Sequence, residues 1–186
     1  MGMSFNMHLC DKKTFEEIKE KTLKNIQIDL GKYSIKSYFL EKIYCGLEFL
    51  FKKIFPENIV KIIFYGSDII SSIDFKSQQF KNLPQEKTID LYISTSQLSY
   101  INHDFIKEIY KQFLGEDGDS IYNGFNENEL NENKIHPENW EKTFILWNDK
   151  EEKILFSEYF KEEYLKIKTL YKEAIENGYL IFVEIK

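Results

Sequence analysis

Hydrophobic and polar positions alternate at the start of the chain. Met3, Phe5, Met7 and Leu9 fall on one side of the alternation; Ser4, Asn6, His8 and Cys10 fall on the other. A period of two predicts a β-strand with one buried face. Thr14 and Glu17 have the spacing of a capping box, which predicts a helix over 15–24. Gly31 predicts a break. Leu40, Ile43, Tyr44, Leu47, Leu50, Phe51 and Ile54 then recur at helical spacing and predict a helix over 37–54. Pro56 either stops that helix or opens the next turn. The apolar run 59–64 fits a strand or a buried helix equally. Tyr65-Gly66-Ser67-Asp68 breaks it, and 69–93 reads as loop with short extended pieces, including an alternating strand over 88–93.

Ser94 and Gln97 repeat the capping-box spacing, with Leu98, Ile101, Phe105, Ile109 and Phe113 behind them. They predict a further helix, with Asn102-His103-Asp104 as its interruption. Residues 115–124 read as a polar loop, and Asn126 with Glu129 predicts one short helix. Phe160, Tyr164, Ile167, Leu170 or Tyr171, and Ala174 line one face of a long helix that Asn177-Gly178 should stop. Residues 179–183 are apolar without alternation, as in a strand covered on both faces. No internal repeat interrupts this order. The expectation is a single mixed α/β domain over 1–186. Its mixed sheet contains both the N- and C-terminal strands and is packed with helices.

The stretch Ile135-His136-Pro137-Glu138-Asn139-Trp140 is accounted for as a helix start. Pro137 takes the first helical position, His136 the N-cap, and Ile135 meets Trp140 as a hydrophobic staple. Glu138 then lies in the first turn, where a carboxylate suits the positive helix end. His136 is not a favoured cap, so it stays among the candidate site residues. A zinc deaminase with His-x-Glu also needs a downstream Pro-Cys-x-x-Cys; Cys10 and Cys45 both lie upstream.

Charge changes the picture of partners. The net charge is −6 over 186 residues. Residues 1–93 hold 14 Lys against 12 acids, while residues 94–186 hold 11 Lys against 19 acids. No arginine occurs and no basic stripe is visible, so no nucleic-acid partner is expected. No apolar run approaches the ~18 residues a bilayer span needs, so no membrane partner is expected. The first residues show neither a basic leader nor an apolar signal core, and two cysteines make no disulfide framework. A cytoplasmic location follows as the expectation.

Chemistry-bearing motifs are sparse. His8, His103 and His136 are far apart, with no zinc-ligand spacing, so no metal site and no cofactor are expected. Asp117-Gly118-Asp119 begins like a calcium loop but continues with Ile121 and Tyr122 where a ligand and a turn glycine belong. Gly66-Ser67 lacks the second glycine of a nucleophile elbow, because Ile69 stands there. Cys45 sits on an apolar-rich helix and reads as a buried thiol. One constellation remains, the polar side of the first strand. If a helix covers it, Ser4, Asn6 and His8 must find partners and would line a pocket; if it faces water, they carry no special meaning.

Several segments together resemble the YfbM-like family of bacterial proteins of unknown function. They are the Met1-Gly2-Met3 opening, the stretch from Leu40 through Cys45-Gly46-Leu47 to Leu50, Tyr92-Ile93-Ser94, Phe125-Asn126 with Leu130, and Ile135-His136-Pro137 with Trp140. The closing helix, Asn177-Gly178 and the final strand also fit. Where that family shows Trp-His, this chain has Tyr44-Cys45; where it has a second histidine, Glu48 stands; where it has the tyrosine before proline, His136 stands. The resemblance implies a mixed α/β fold and a cytoplasmic bacterial protein, and it carries no activity.

Two functional expectations follow. The first is a non-enzymatic binding domain for another protein with a basic surface, an immunity-type inhibitor being its specific form. No catalytic residue is assigned under it. The alternative is a small-ligand binder or enzyme with a pocket near the N-terminal strand and the 37–54 helix. Its candidate ligand-binding residues are Ser4, Asn6, His8, Glu41, Lys42, Tyr44 and His136.

Overall fold

The structure is a computed structural model that describes residues 4–40, 43–74, 77, 82, 84–88, 95–145 and 153–185. The first half of the chain runs β1 (Phe5–Cys10), α1 (Lys12–Leu23), α2 (Leu30–Tyr33), β2 (Lys36–Leu40), α3 (Tyr44–Ile54), α4 (Glu57–Tyr65) and β3 (Asp68–Ser71). The second half runs β4 (Gln97–Ile101), α5 (His103–Leu114), α6 (Asp119–Gly124), α7 (Glu127–Glu132), β5 (Thr143–Ile145), β6 (Lys153–Leu155), α8 (Phe156–Asn177) and β7 (Leu180–Ile185). Five strands form one antiparallel sheet in the order β2-β1-β7-β4-β3, so both terminal strands lie inside it. β5 and β6 make a separate two-stranded pair. Among the described residues, no helix is long and apolar enough to cross a membrane.

β1 is buried along its whole length, on both faces rather than the single one its alternation predicts. Phe5, Met7 and Leu9 enter the larger core, built with α3, α4, α5 and α8. At its centre Phe51 meets Phe64, Phe113 and Tyr164 edge-on, at 5.5, 6.3 and 5.7 Å between ring centroids. Such tilted contacts suit the aromatic quadrupole. The opposite sheet face carries Cys10, Ile70 and Phe182, covered by Phe15 and Ile18 of α1 and Leu30 of α2. Since α1 and α2 shield this second face, its polar residues are enclosed as well.

Where the strongest local signals lie, elements and expectations agree. α8 buries Phe160, Tyr164, Ile167, Leu170, Tyr171 and Ala174, and Gly178 ends it at φ 67°. Ile181, Phe182 and Val183 of β7 are buried. Asn126 caps α7 through its side chain. The apolar run 59–64 is helical, part of α4, with Pro56 as its N-cap.

Elsewhere the structure corrects the sequence reading. Asp11, not Thr14, caps α1: its carboxylate accepts from the Thr14 N–H at 2.7 Å. Gly31 lies within α2 rather than at a break. The helix expected over 37–54 is two elements, the strand β2 and the helix α3. Tyr38 and Leu40 are buried while Ser37 and Phe39 are exposed, a period of two that helical spacing from Leu40 onward hides. Gln97–Ile101 is strand β4, and Asn102 starts α5 instead of interrupting a helix, its Oδ1 accepting from the Phe105 N–H at 3.2 Å. Part of the loop expected over 115–124 is the short helix α6. The strand expected over 88–93 and the Ser94 cap fall, apart from Thr88, outside the described residues.

The 135–140 stretch is a turn, not a helix start. The His136-Pro137 bond is cis and the Glu138 N–H donates to the Ile135 carbonyl at 2.8 Å. Trp140 is then held from three directions. Its indole N–H donates to the Ile135 carbonyl at 2.8 Å, while the Asn131 side chain accepts from its backbone N–H and donates to its carbonyl. The ring so placed lies on Gly46 of α3. A Cβ at Gly46 would stand 2.6 Å from Trp140 and 2.8 Å from Phe160. We predict that Gly46→Ala costs about 1–3 kcal/mol through overpacking. Urea unfolding should show a lower midpoint with an unchanged slope; an unchanged midpoint would mean that Trp140 does not press on α3.

Candidate functional site

The polar residues of β1 are enclosed. Asn6 and His8 are each 6% exposed. In register, Asn6 faces Phe39 on β2 and Glu184 on β7, and His8 faces Ser37 and Phe182. Asn6, His8, Ser37 and Glu184 therefore share one face across three adjacent strands. The His8 Nδ1 lies 2.8 Å from the Ser37 Oγ, and Ser37 lies 2.7 Å from the Ser34 Oγ. The Ser34 hydroxyl also reaches the Gly31 carbonyl at 3.4 Å. On the other side of the ring, His8 Nε2 is 3.6 Å from Glu184 Oε2.

Burying a charge or a polar group is costly unless it meets a complement. At 3.6 Å the imidazole and the carboxylate stand within ion-pair range but beyond a hydrogen bond, so the pairing offsets that cost only in part. With the ring proton on Nε2, the N–H points at Glu184 and leaves the Nδ1 lone pair to accept from Ser37. The sheet, not a flexible loop, holds all three side chains.

Beside Glu184 a cleft of about 460 Å³ opens between the loop after α1 and the segment that leads into β4. Its lining includes Asn25, Gln27, Thr95, Ser96 and Gln97 together with Glu184. Asn25 adopts φ 57°, and its Oδ1 accepts from the Ser96 N–H at 2.7 Å, which ties the two sides together. The lining is mainly amide and hydroxyl, with one carboxylate from the sheet.

The residues anticipated from sequence are divided by the sheet. Ser4 is half-buried just ahead of β1, and Asn6 and His8 lie in the strip. Tyr44 is on the opposite face, against Phe5 at 6.1 Å, its hydroxyl pushed up to about 12 by burial and then by the neighbouring Cys45 and Glu48. Tyr44 of α3 and the polar side of β1 therefore lie on opposite faces of the sheet. Glu41 and Lys42 lie outside those residues, and His136 is exposed in its turn. Ser37 and Glu184 were not anticipated. The signal for Glu184 is a lone carboxylate within an otherwise apolar final strand.

Residues 1–183 match the model of a protein family described as a domain of unknown function, DUF1877. The chain belongs to this family. No curated protein and no solved structure gave a match. In this DUF1877 chain two buried carboxylates, Glu163 and Glu48, have fixed partners. Glu163 accepts from the Tyr38 hydroxyl at 2.6 Å and pairs with Lys166 at 2.6 Å. Glu48 accepts from Tyr65 at 2.9 Å and pairs with Lys52 at 2.8 Å. Among the described residues, no group of three or more His, Cys, Asp or Glu is placed to hold a metal ion.

Burial, and after it the Asp11 charge, pushes the Cys10 thiol up to about 12. Burial raises Cys45 too. A raised thiol pKa leaves little thiolate at neutral pH, and the thiolate is the reactive form. We predict that the native protein reacts slowly with a thiol-specific disulfide reagent at pH 8, with Cys10 silent, and that unfolding releases both thiols. Rapid native labelling of Cys10 would contradict its placement. The same shift has a consequence for stability, because the folded state holds the Cys10 proton more tightly than the unfolded chain does. Its stabilising contribution is complete below about pH 9, the ordinary thiol value, and is lost as pH rises toward about 12.

Proposed function

We propose that this chain is a binding domain and that the cleft beside Glu184 is its ligand site. The observation that carries this is a cleft of about 460 Å³ with amide and hydroxyl walls and a sheet-held carboxylate. Small-molecule sites commonly span about 300–1,000 Å³ and use a few placed polar groups for orientation. Glu184 supplies the single negative charge, and Asn25, Gln27, Thr95 and Gln97 supply donors and acceptors. That set suits a small hydroxylated or amide-bearing molecule with an ammonium or guanidinium group.

Thermal unfolding in the presence of free arginine, polyamines and amino sugars tests the proposal. At about 100-fold excess over Kd a ligand stabilises by about 2.7 kcal/mol. At least one of these compounds should raise the midpoint, and Ser96→Trp, which fills the cleft, should abolish the rise. No response from any of them, or an undiminished response in the Ser96→Trp variant, would contradict the proposal.

A second reading, an interaction domain for a basic protein such as an immunity-type inhibitor's target, is supported by the net charge of −6. The two halves of the chain are interleaved in one sheet, and Lys36–Glu173 and Lys53–Glu129, each at 2.5 Å, pair across them. The acidic excess of the second half is therefore partly met by lysines of the first. Binding on this reading weakens with added salt. The YfbM-like resemblance adds no preference between the two, since its Gly46 and Trp140 are packed against each other in the core.

A further inference from the structure

We infer that Ser37 is a nucleophilic hydroxyl, with His8 as its base and Glu184 as the residue that positions His8, and that it accepts acyl groups from activated esters. Ser37 is exposed on β2, the edge strand of the sheet, whereas His8 behind it is 6% exposed. A base must lie within hydrogen-bond reach of the proton it takes, and Nδ1 is 2.8 Å from the Ser37 Oγ. The far side of the ring faces the Glu184 carboxylate at 3.6 Å. That distance is longer than a hydrogen bond, so the carboxylate acts on the ring by its charge, favouring the proton on Nε2 and stabilising the imidazolium that forms when the base takes a proton. The order nucleophile, base, carboxylate is that of a serine hydrolase triad with the two ring nitrogens exchanged. Ser34 completes the proton inventory. With the Ser37 proton directed to Nδ1, the Ser34 hydroxyl turns its one proton from the Gly31 carbonyl to the Ser37 oxygen at 2.7 Å.

This inference goes beyond ligand binding and stands without it. Ser37 lies on β2 and the cleft borders β7 and β4, with His8 on the strand between. In the step, the Ser37 oxygen forms a bond to the ester carbonyl carbon as its proton passes to Nδ1. The bond from that carbon to the alcohol oxygen then breaks, and His8 returns the proton to the departing alcohol. Water, deprotonated by His8, then bonds to the acyl carbon; the bond from that carbon to the Ser37 oxygen breaks, the carboxylic acid leaves, and His8 returns the proton to Ser37. Phenyl esters suit such a site, because their leaving group departs without needing strong protonation.

The test uses a fluorophosphonate probe on the intact chain, with the adduct located by peptide mass spectrometry. The probe's phosphorus bonds to the attacking oxygen and fluoride leaves. We expect one adduct, on Ser37, and none in Ser37→Ala. General-base assistance is worth about 10²–10⁴ in rate, so folded His8→Gln should label at least about 100-fold more slowly, and Glu184→Gln should also be slowed. If His8→Gln does not fold, Glu184→Gln carries the comparison. No adduct, an adduct confined to other residues, or labelling of Ser37 at an unchanged rate in the folded variants overturns the assignment.

Discussion

The antiparallel pairing of β1 with β7 joins Phe5 to Ile185 and so closes almost the entire chain on itself. Every other element depends on that closure. Among the described residues, β2 has no sheet neighbour except β1, and β4 with β3 reaches the rest of the sheet only through β7. The two central strands are also where both hydrophobic clusters meet, with Phe5, Met7, Leu9, Ile181 and Val183 on one side and Cys10 and Phe182 on the other. Loop-closure entropy opposes contacts this distant in sequence, so they form only when apolar burial on both faces accompanies them.

The same pairing creates the polar strip. His8 and Glu184 are 176 residues apart in sequence, and only the β1–β7 register brings them within 3.6 Å. A buried imidazole and a half-buried carboxylate would each be costly alone, and together each offsets part of the other's desolvation. Ser37 enters from the opposite neighbour of β1, so the strip needs three strands in register at once. The face that sequence alternation marks as polar carries an apolar cluster under α1 and α2, with Asn6, His8, Ser37 and Glu184 as a polar strip beside it.

What could be read from sequence was what local physics decides. The helical face of α8, the glycine at its end and the apolar final strand each carry their signal within a few residues. The β2–α3 boundary was illegible because Leu40 serves two periods, closing the alternation of Tyr38 and Leu40 while fitting the helical spacing of Ile43 and Leu47. Asn102 was misread because a capping pair at Ser94 and Gln97 is only a spacing, and β4 takes Gln97 for the sheet. The turn before Trp140 failed as a helix start for a tertiary reason: the ring is held against Gly46 and Phe160 by Asn131 and the Ile135 carbonyl. For the site, Asn6 and His8 were visible as polar positions in a strand. Ser37 and Glu184 were not, since their role exists only once strand order and register are known.

Residue-resolved amide hydrogen exchange measures this closure most directly. Amides that open only with the whole molecule share one protection level and respond alike to denaturant. The β1–β7 pairing predicts that Met7, Leu9, Ile181 and Val183 exchange at a common slow limit equal to global unfolding. Fast exchange in β1 while β7 stays protected, or a β7 that frays independently of β1, would contradict it.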